Sequence, residues 1–200
     1  MKKTYHELIC VINRSGSMES IRDDAIGGFN AFIAEQKKQP EPTRVTLELF
    51  DDQFDQIYEA MPIDEILGLD HNTFVPRGST ALLDAVGRSL ANAYVRINNL
   101  PATERPQAVI VAILTDGMEN SSREFDFNSV SDIIAKRRAE SGWEFVFLGA
   151  NQDAIATASK LSMSSDDAVN FAPTPEGTQT AYMAMSARVN ERRSRYRSRR

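Results

Sequence analysis

The stretch LICVINRSGSMES, residues 8 to 20, sets an apolar run directly before a group of oxygen-bearing side chains. Leu8 to Ile12 stops at Asn13, and the hydroxyls of Ser15 and Ser17 follow around Gly16. The layout suggests a metal site in which an amide stands where a carboxylate is expected. Gly16 is expected to tolerate unusual φ and close backbone approach, so that the two hydroxyls converge. Thr115, Asp116, Gly117 and Glu119 form a second polar cluster after the apolar run Ala108 to Leu114, and Asn151, Gln152 and Asp153 form a third after the run ending at Leu148. No serine in these clusters has an adjacent histidine to act as its base, and no Gly-rich phosphate loop carries a lysine. His6 and His71 are isolated, without metal-ligand spacing.

The elements that must position these clusters follow from hydrophobic period and punctuation. Strands are predicted over His6 to Ile12, Arg44 to Phe50, Gln53 to Ala60, Ala108 to Leu114, Glu144 to Leu148 and Ala168 to Phe171. Helices are predicted over Ile21 to Lys37, residues 81 to 99, Phe127 to Ser141, Asp153 to Leu161 and Thr178 to Arg193. The acidic turn at Asp51 and Asp52 reads as a hairpin, and Ala108 to Leu114 as a strand covered on both faces. The alternation predicts an α/β fold: a doubly wound, mostly parallel sheet of about six strands, one of them antiparallel, with helices on both faces. In such sheets ligands collect outside the carboxyl ends of the strands, where the polar clusters lie. Asp153 reads as a helix N-cap, Glu119 and Asn120 as solvated loop residues, Trp143 as a core or edge aromatic and Cys10 as a small core hydrophobe.

Asn13-Arg14-Ser15-Gly16-Ser17-Met18, then Gly78-Ser79-Thr80 opening a helix, then Leu114-Thr115-Asp116-Gly117, resembles a von Willebrand factor A domain in motif order over nearly the whole chain. The resemblance implies a Rossmann-like fold and a metal-ion-dependent adhesion site of pattern Asp-x-Ser-x-Ser, a separate Thr and a separate Asp. Carried over by position, Ser15, Ser17 and Thr80 are hydroxyl ligands, Asp116 is a carboxylate acting directly or through water, and Asn13 takes the place of the first Asp. The implied ion is Mg²⁺, or Mn²⁺ or Ca²⁺, with a coordination position left for an acidic side chain of a protein partner. Mg²⁺ suits such a set, since it keeps several waters and needs only one or two carboxylates. The neutral amide at Asn13 removes a charge beside the dication, and unit charges about 4 Å apart interact by roughly 4 kcal/mol at an effective dielectric of 20. A weakened site, a site without metal, and a site completed by a partner's carboxylate all remain open.

Composition bounds the remainder. Two hundred residues, 42% hydrophobic, are consistent with one domain and a sizeable core. The longest apolar runs fall well short of the roughly 20 residues of a membrane helix, and no signal-peptide segment opens the chain. A single cysteine, Cys10, points to a reducing, cytoplasmic home, and the lack of appended domains to a bacterial or phage source. The net charge of −5 hides an asymmetry, because residues 187–200 hold seven arginines against one acid, Glu191. Ala181, Tyr182, Ala184, Met185 and Val189 form one helical stripe, so packing is expected to end near Val189, with the domain over 1–190 and an Arg-rich tail over 191–200. The expected function is a non-enzymatic protein-interaction module. The alternative is a scaffold that associates with nucleic acid, or with itself, through the arginine tail.

Overall fold

Every residue of β1 (His6–Asn13) and β4 (Ala108–Thr115) is buried, as parallel strands covered on both faces require. The computed structural model describes residues 5–150 and 154–197. Around those two strands it places α1 (Arg22–Lys37), β2 (Thr43–Phe50), β3 (Phe54–Pro62), α2 (Leu82–Asn99), α3 (Phe127–Ser141), β5 (Glu144–Ala150), α4 (Ala154–Lys160), β6 (Ala168–Phe171) and α5 (Pro175–Arg197). The six strands lie in the order β3-β2-β1-β4-β5-β6. Only β3 runs antiparallel, paired to β2 through the hairpin expected at Asp51 and Asp52.

The order reverses at β1. The chain first builds outward through β2 and β3, then crosses back to lay β4, β5 and β6 on the other side. The crevice between the carboxyl ends of β1 and β4 is therefore the switch point at which doubly wound sheets bind ligands.

Alternate residues of each strand face opposite layers. Leu8, Cys10 and Ile12 pack with Phe29, Phe32, Tyr182 and Met185 under α1 and α5. Ile9 and Val11 pack with Val86, Leu90, Ile134 and Phe145 under α2 and α3. Cys10 and Trp143 are core residues, 0% and 3% exposed. Asp126 and Ser129 form a capping box at the start of α3, and Gly142, in the left-handed region at φ 65°, ends it.

The last helix corrects one expectation. Packing does not end near Val189; α5 starts three residues earlier than expected, with Pro175 in its first turn, and runs on to Arg197. Arg192 and Arg193 are only 2% and 1% exposed. Arg192 pairs with Asp167 at 2.7 Å and lies 3.6 Å from Glu144. Arg193 donates to Gln36 Oε1 at 2.9 Å, Thr43 Oγ1 at 2.6 Å and the Glu41 carbonyl at 3.1 Å. The Tyr196 hydroxyl donates to the Gly142 carbonyl at 2.7 Å. Apolar periodicity does not register such residues, because an arginine covers core with its alkyl stem while its head reaches fixed acceptors at the rim. Among the described residues no helix is long and apolar enough to cross a membrane.

Candidate metal centre

Asn13, the last residue of β1, is fully buried and uses both ends of its amide. Its Oδ1 accepts the Ser15 backbone N–H at 2.7 Å, which turns the chain out of the strand. Its Nδ2 then donates across the crevice to Asp116 Oδ1 at 2.9 Å and Thr115 Oγ1 at 3.1 Å, at the end of β4. The reversed amide would set Oδ1 against the carboxylate and Nδ2 against the Ser15 N–H, so the donor pattern permits one orientation.

The turn continues as a short 3₁₀ segment, Gly16–Ile21, with the Met18 N–H on the Ser15 carbonyl at 2.9 Å. Ser15 Oγ and Ser17 Oγ lie 3.1 Å apart, the first buried and the second exposed at the mouth. Thr80 enters from the loop before α2, held through its backbone: its N–H donates to Asn120 Oδ1 at 2.8 Å and its carbonyl accepts the Asn120 N–H at 3.0 Å. A Cβ built on Gly117 would lie 3.2 Å from Thr80 Oγ1 and 3.9 Å from Ser17 Oγ, so a small space opens between these hydroxyls because residue 117 has no side chain. The Ser17 hydroxyl also hydrogen-bonds Asp116. All five expected residues, Asn13, Ser15, Ser17, Thr80 and Asp116, thus meet in one crevice.

Asp116 is 1% exposed. Burial pushes its carboxyl above the usual carboxylate range, against the opposing effect of the Ser17 hydroxyl. No group of three or more His, Cys, Asp or Glu suited to a metal exists among the described residues. A cation here would rest on hydroxyls and one carboxylate. That set of oxygens, around a small space, is chemically suited to a divalent cation that keeps part of its water shell.

The supporting residues differ from expectation in three places. First, Gly16 does not adopt a left-handed φ, and a Cβ there would make an ordinary contact of 3.5 Å with the Gly78 carbonyl. The conformationally demanding glycine is Gly78, at φ 65°, where a Cβ would lie 2.0 Å from Asp52 Oδ1. Second, Glu119 and Asn120 are structural ties and not merely solvated loop residues. Glu119 accepts the N–H groups of Ser121, Ser122 and, across the loop, Leu83 at the start of α2. Ser122 Oγ accepts the Asp84 N–H at 3.0 Å, and Asp84 accepts three backbone N–H groups from residues 123–125. Ala81 supplies no side-chain cap, so the loop after β4 satisfies the free N–H groups of α2. Third, sequence reasoning passed over Arg14. Its guanidinium pairs with Asp51 at 3.0 Å and with Asp55, and Arg77 joins Asp51 at 2.8 Å from the loop that carries Thr80. The only signal for that cluster was the pair of acids in the β2–β3 turn. Asn151, Gln152 and Asp153, including the N-cap expected at Asp153, lie outside the described residues. His6 opens β1 at the far end of the sheet, and His71 pairs with Asp23 on the surface at 3.3 Å.

No protein-family model and no curated protein sequence matches the chain. Solved structures do match. Proximal thread matrix protein 1 from the mussel byssus is 15% identical with a TM-score of 0.64, over 92% of this chain and 46% of that one. A second structure of the same protein, 16% identical with a TM-score of 0.60, carries a zinc-occupied MIDAS motif. The vWF domain of the type V pili tip protein Mfa5 from Porphyromonas gingivalis is 12% identical with a TM-score of 0.59, over 94% of this chain and 95% of that domain. The chain spans less than half the length of the mussel protein. At these identities the likeness establishes the fold, that of von Willebrand factor A domains.

Proposed function

We propose that the chain is a non-enzymatic protein-interaction module that binds an acidic side chain of a protein partner at the crevice between β1 and β4. The observation that carries this reading is the meeting of Asn13, Ser15, Ser17, Thr80 and Asp116 at the switch point of the sheet. Ser15, Ser17 and Thr80 offer hydroxyl oxygens, and Asp116 the negative charge, to a divalent cation. When bound, that cation supplies the positive charge that draws a partner's Asp or Glu. Asn13 serves mainly as an organiser, since its Nδ2 holds Asp116 in place and its Oδ1 holds the Ser15 turn. Exposed Met118, two residues beyond Asp116, gives the mouth an apolar margin for a partner to cover. An assembly role agrees with the structural neighbours, a byssus matrix protein and a pilus tip protein. The arginine segment is less suited to nucleic acid than its composition implied, because Arg192 and Arg193 are engaged internally and Arg195 pairs with Glu191 at 2.8 Å.

The test is calorimetric titration of Mg²⁺ and Mn²⁺ into the chain and into Asn13→Asp, Asn13→Asp/Thr80→Ala and Asp116→Ala variants. We expect weak binding by the chain, at least tenfold tighter binding by Asn13→Asp, and a loss again when Thr80 is removed. Partner capture that needs Mg²⁺ and fails in chelator supports the bridge. Absence of binding in Asn13→Asp overturns it.

A further inference from the structure

A groove of about 750 Å³ runs between α1 and α5, on a flank of the domain separate from the β1–β4 crevice. Its middle is apolar, with Gly27 and Ala31 on α1 facing Met183 and Ala187 on α5, and exposed Asp23 and Gln179 stand toward one end. Three carboxylates line it, Asp23, Asp24 and Glu35, and no lysine or arginine does.

Gly27 is the informative residue. Glycine inside a helix is destabilising relative to alanine, and the usual compensation is close packing within the fold. Its neighbour Gly28 has that compensation, since a Cβ there would lie 2.3 Å from the Tyr182 ring. At Gly27 a Cβ would meet nothing within 4 Å. The fold leaves that position bare, and the bare strip faces the groove. Met183, 65% exposed, stands on the opposite wall with a flexible thioether suited to an adaptable contact. The Tyr182 ring closes the floor of the groove beside Gly28, while its hydroxyl is turned into the core toward Cys10.

We infer that this groove docks a cationic amphipathic helix of a partner protein. From Asp23 to Glu35, α1 extends about 18 Å, long enough to lie along three turns of another helix. Gly27 and Ala31 let that helix approach closely, Met183 and Ala187 receive its apolar stripe, and the three carboxylates select lysine or arginine beside the stripe. The acids are accessible for exchange: Asp24 accepts from Gln179 Nε2 of α5 at 3.3 Å, an exposed hydrogen bond across one end of the groove that an incoming cation would displace. Glu35 pairs with Lys38 at 2.8 Å and Asp23 with His71 at 3.3 Å, both as exposed pairs that hold their charges weakly.

The probe is a fluorescein-labelled 18-residue helical peptide with a leucine stripe flanked by lysines, titrated into the full chain and followed by anisotropy. One control peptide has the same composition with the stripe scrambled, and another has glutamate for lysine. We expect saturable binding of the first peptide alone, weakening as salt rises. Gly27→Leu and Met183→Lys should each reduce affinity at least tenfold while melting as cooperatively as the parent, and Asp23→Asn/Glu35→Gln should flatten the salt dependence. Thr80→Ala should change nothing, which separates this surface from the crevice. Equal binding by the Gly27→Leu variant, equal binding of the glutamate peptide, or no binding at low salt overturns the inference. So does a dimer of the free chain in sedimentation that Met183→Lys dissolves, because that result gives the groove to a second copy.

Discussion

Asn13 converts what would be a repulsive meeting of carboxylates into a hydrogen bond, and several residue-level outcomes depend on it. In chelator, Asn13→Asp places a second carboxylate about 3 Å from Asp116, so we expect a loss of about 1–2 kcal/mol, read as a lower Tm that Mg²⁺ restores. An unchanged Tm in chelator would remove Asn13 from its organising role. Gly78→Ala should cost about 1–2 kcal/mol or more, since it puts a Cβ on a left-handed φ and against Asp52, whereas Gly16→Ala should be nearly silent. Chemical denaturation of the two variants side by side decides which glycine the loops require. The convergence of Asn13, Ser15, Ser17, Thr80 and Asp116 was legible in the sequence because their residue types and order are distinctive. The ties that aim it were not: an acid or amide in a polar loop, such as Glu119 or Asn120, looks alike whether it meets solvent or a backbone N–H from another loop. Arg14 was hidden for the same reason, as a charged residue between two serines carries no mark of burial.

At the scale of elements, two packed pieces respond in opposite ways to charge. On the α2 face, β2 buries Glu48, whose carboxyl burial pushes up to about 7 with the Ser89 hydroxyl and Arg96 opposing and Glu59 and Glu7 adding to the rise. The folded state therefore keeps a proton that the unfolded chain gives up near pH 4.5. Its stabilising contribution is complete below that value and is lost as pH climbs through about 7, a change of up to about 3 kcal/mol. Glu48→Gln should flatten urea-derived stability between pH 5 and 8; an unaltered profile would show that Glu48 is not the group responsible. Under α5 the sign reverses, because against the effect of burial the Ser164 N–H and hydroxyl, then Arg192 and Arg138, hold the Asp167 carboxyl low. Arg192→Ala removes the buried guanidinium and leaves that acid with Arg138 and the Ser164 donors, and we expect about 2–4 kcal/mol of destabilisation, against less than about 1 for exposed Arg195→Ala. Strand and helix boundaries were largely legible because the periods of two and 3.6 are strong in this chain. The end of α5 was not, since an ion pair with Asp167 and a hydrogen bond to Gln36, and not an apolar stripe, hold it down.

For the whole molecule, stability resides in the two hydrophobic layers on either side of the sheet, so stripping divalent metal should leave the parent Tm within a few degrees. Melting in Mg²⁺ and in chelator checks this, and a collapse in chelator would make the cation structural. The sheet order was foreseeable only in class, because period and punctuation do not say which strand lies between which. The polar clusters after β1 and β4 did mark the end of the sheet where those loops converge. One consequence of the order concerns synthesis. β1 sits at the centre of the sheet, yet its β4 neighbour lies far along the chain: Asn13 and Asp116 are 103 positions apart. At about 5–20 residues per second, a ribosome needs on the order of 5–20 s to deliver that neighbour. Throughout that interval the nascent chain carries an apolar strand with one bare edge, so the most protected strand of the finished protein is also its most exposed to chaperones and to aggregation while it is being made.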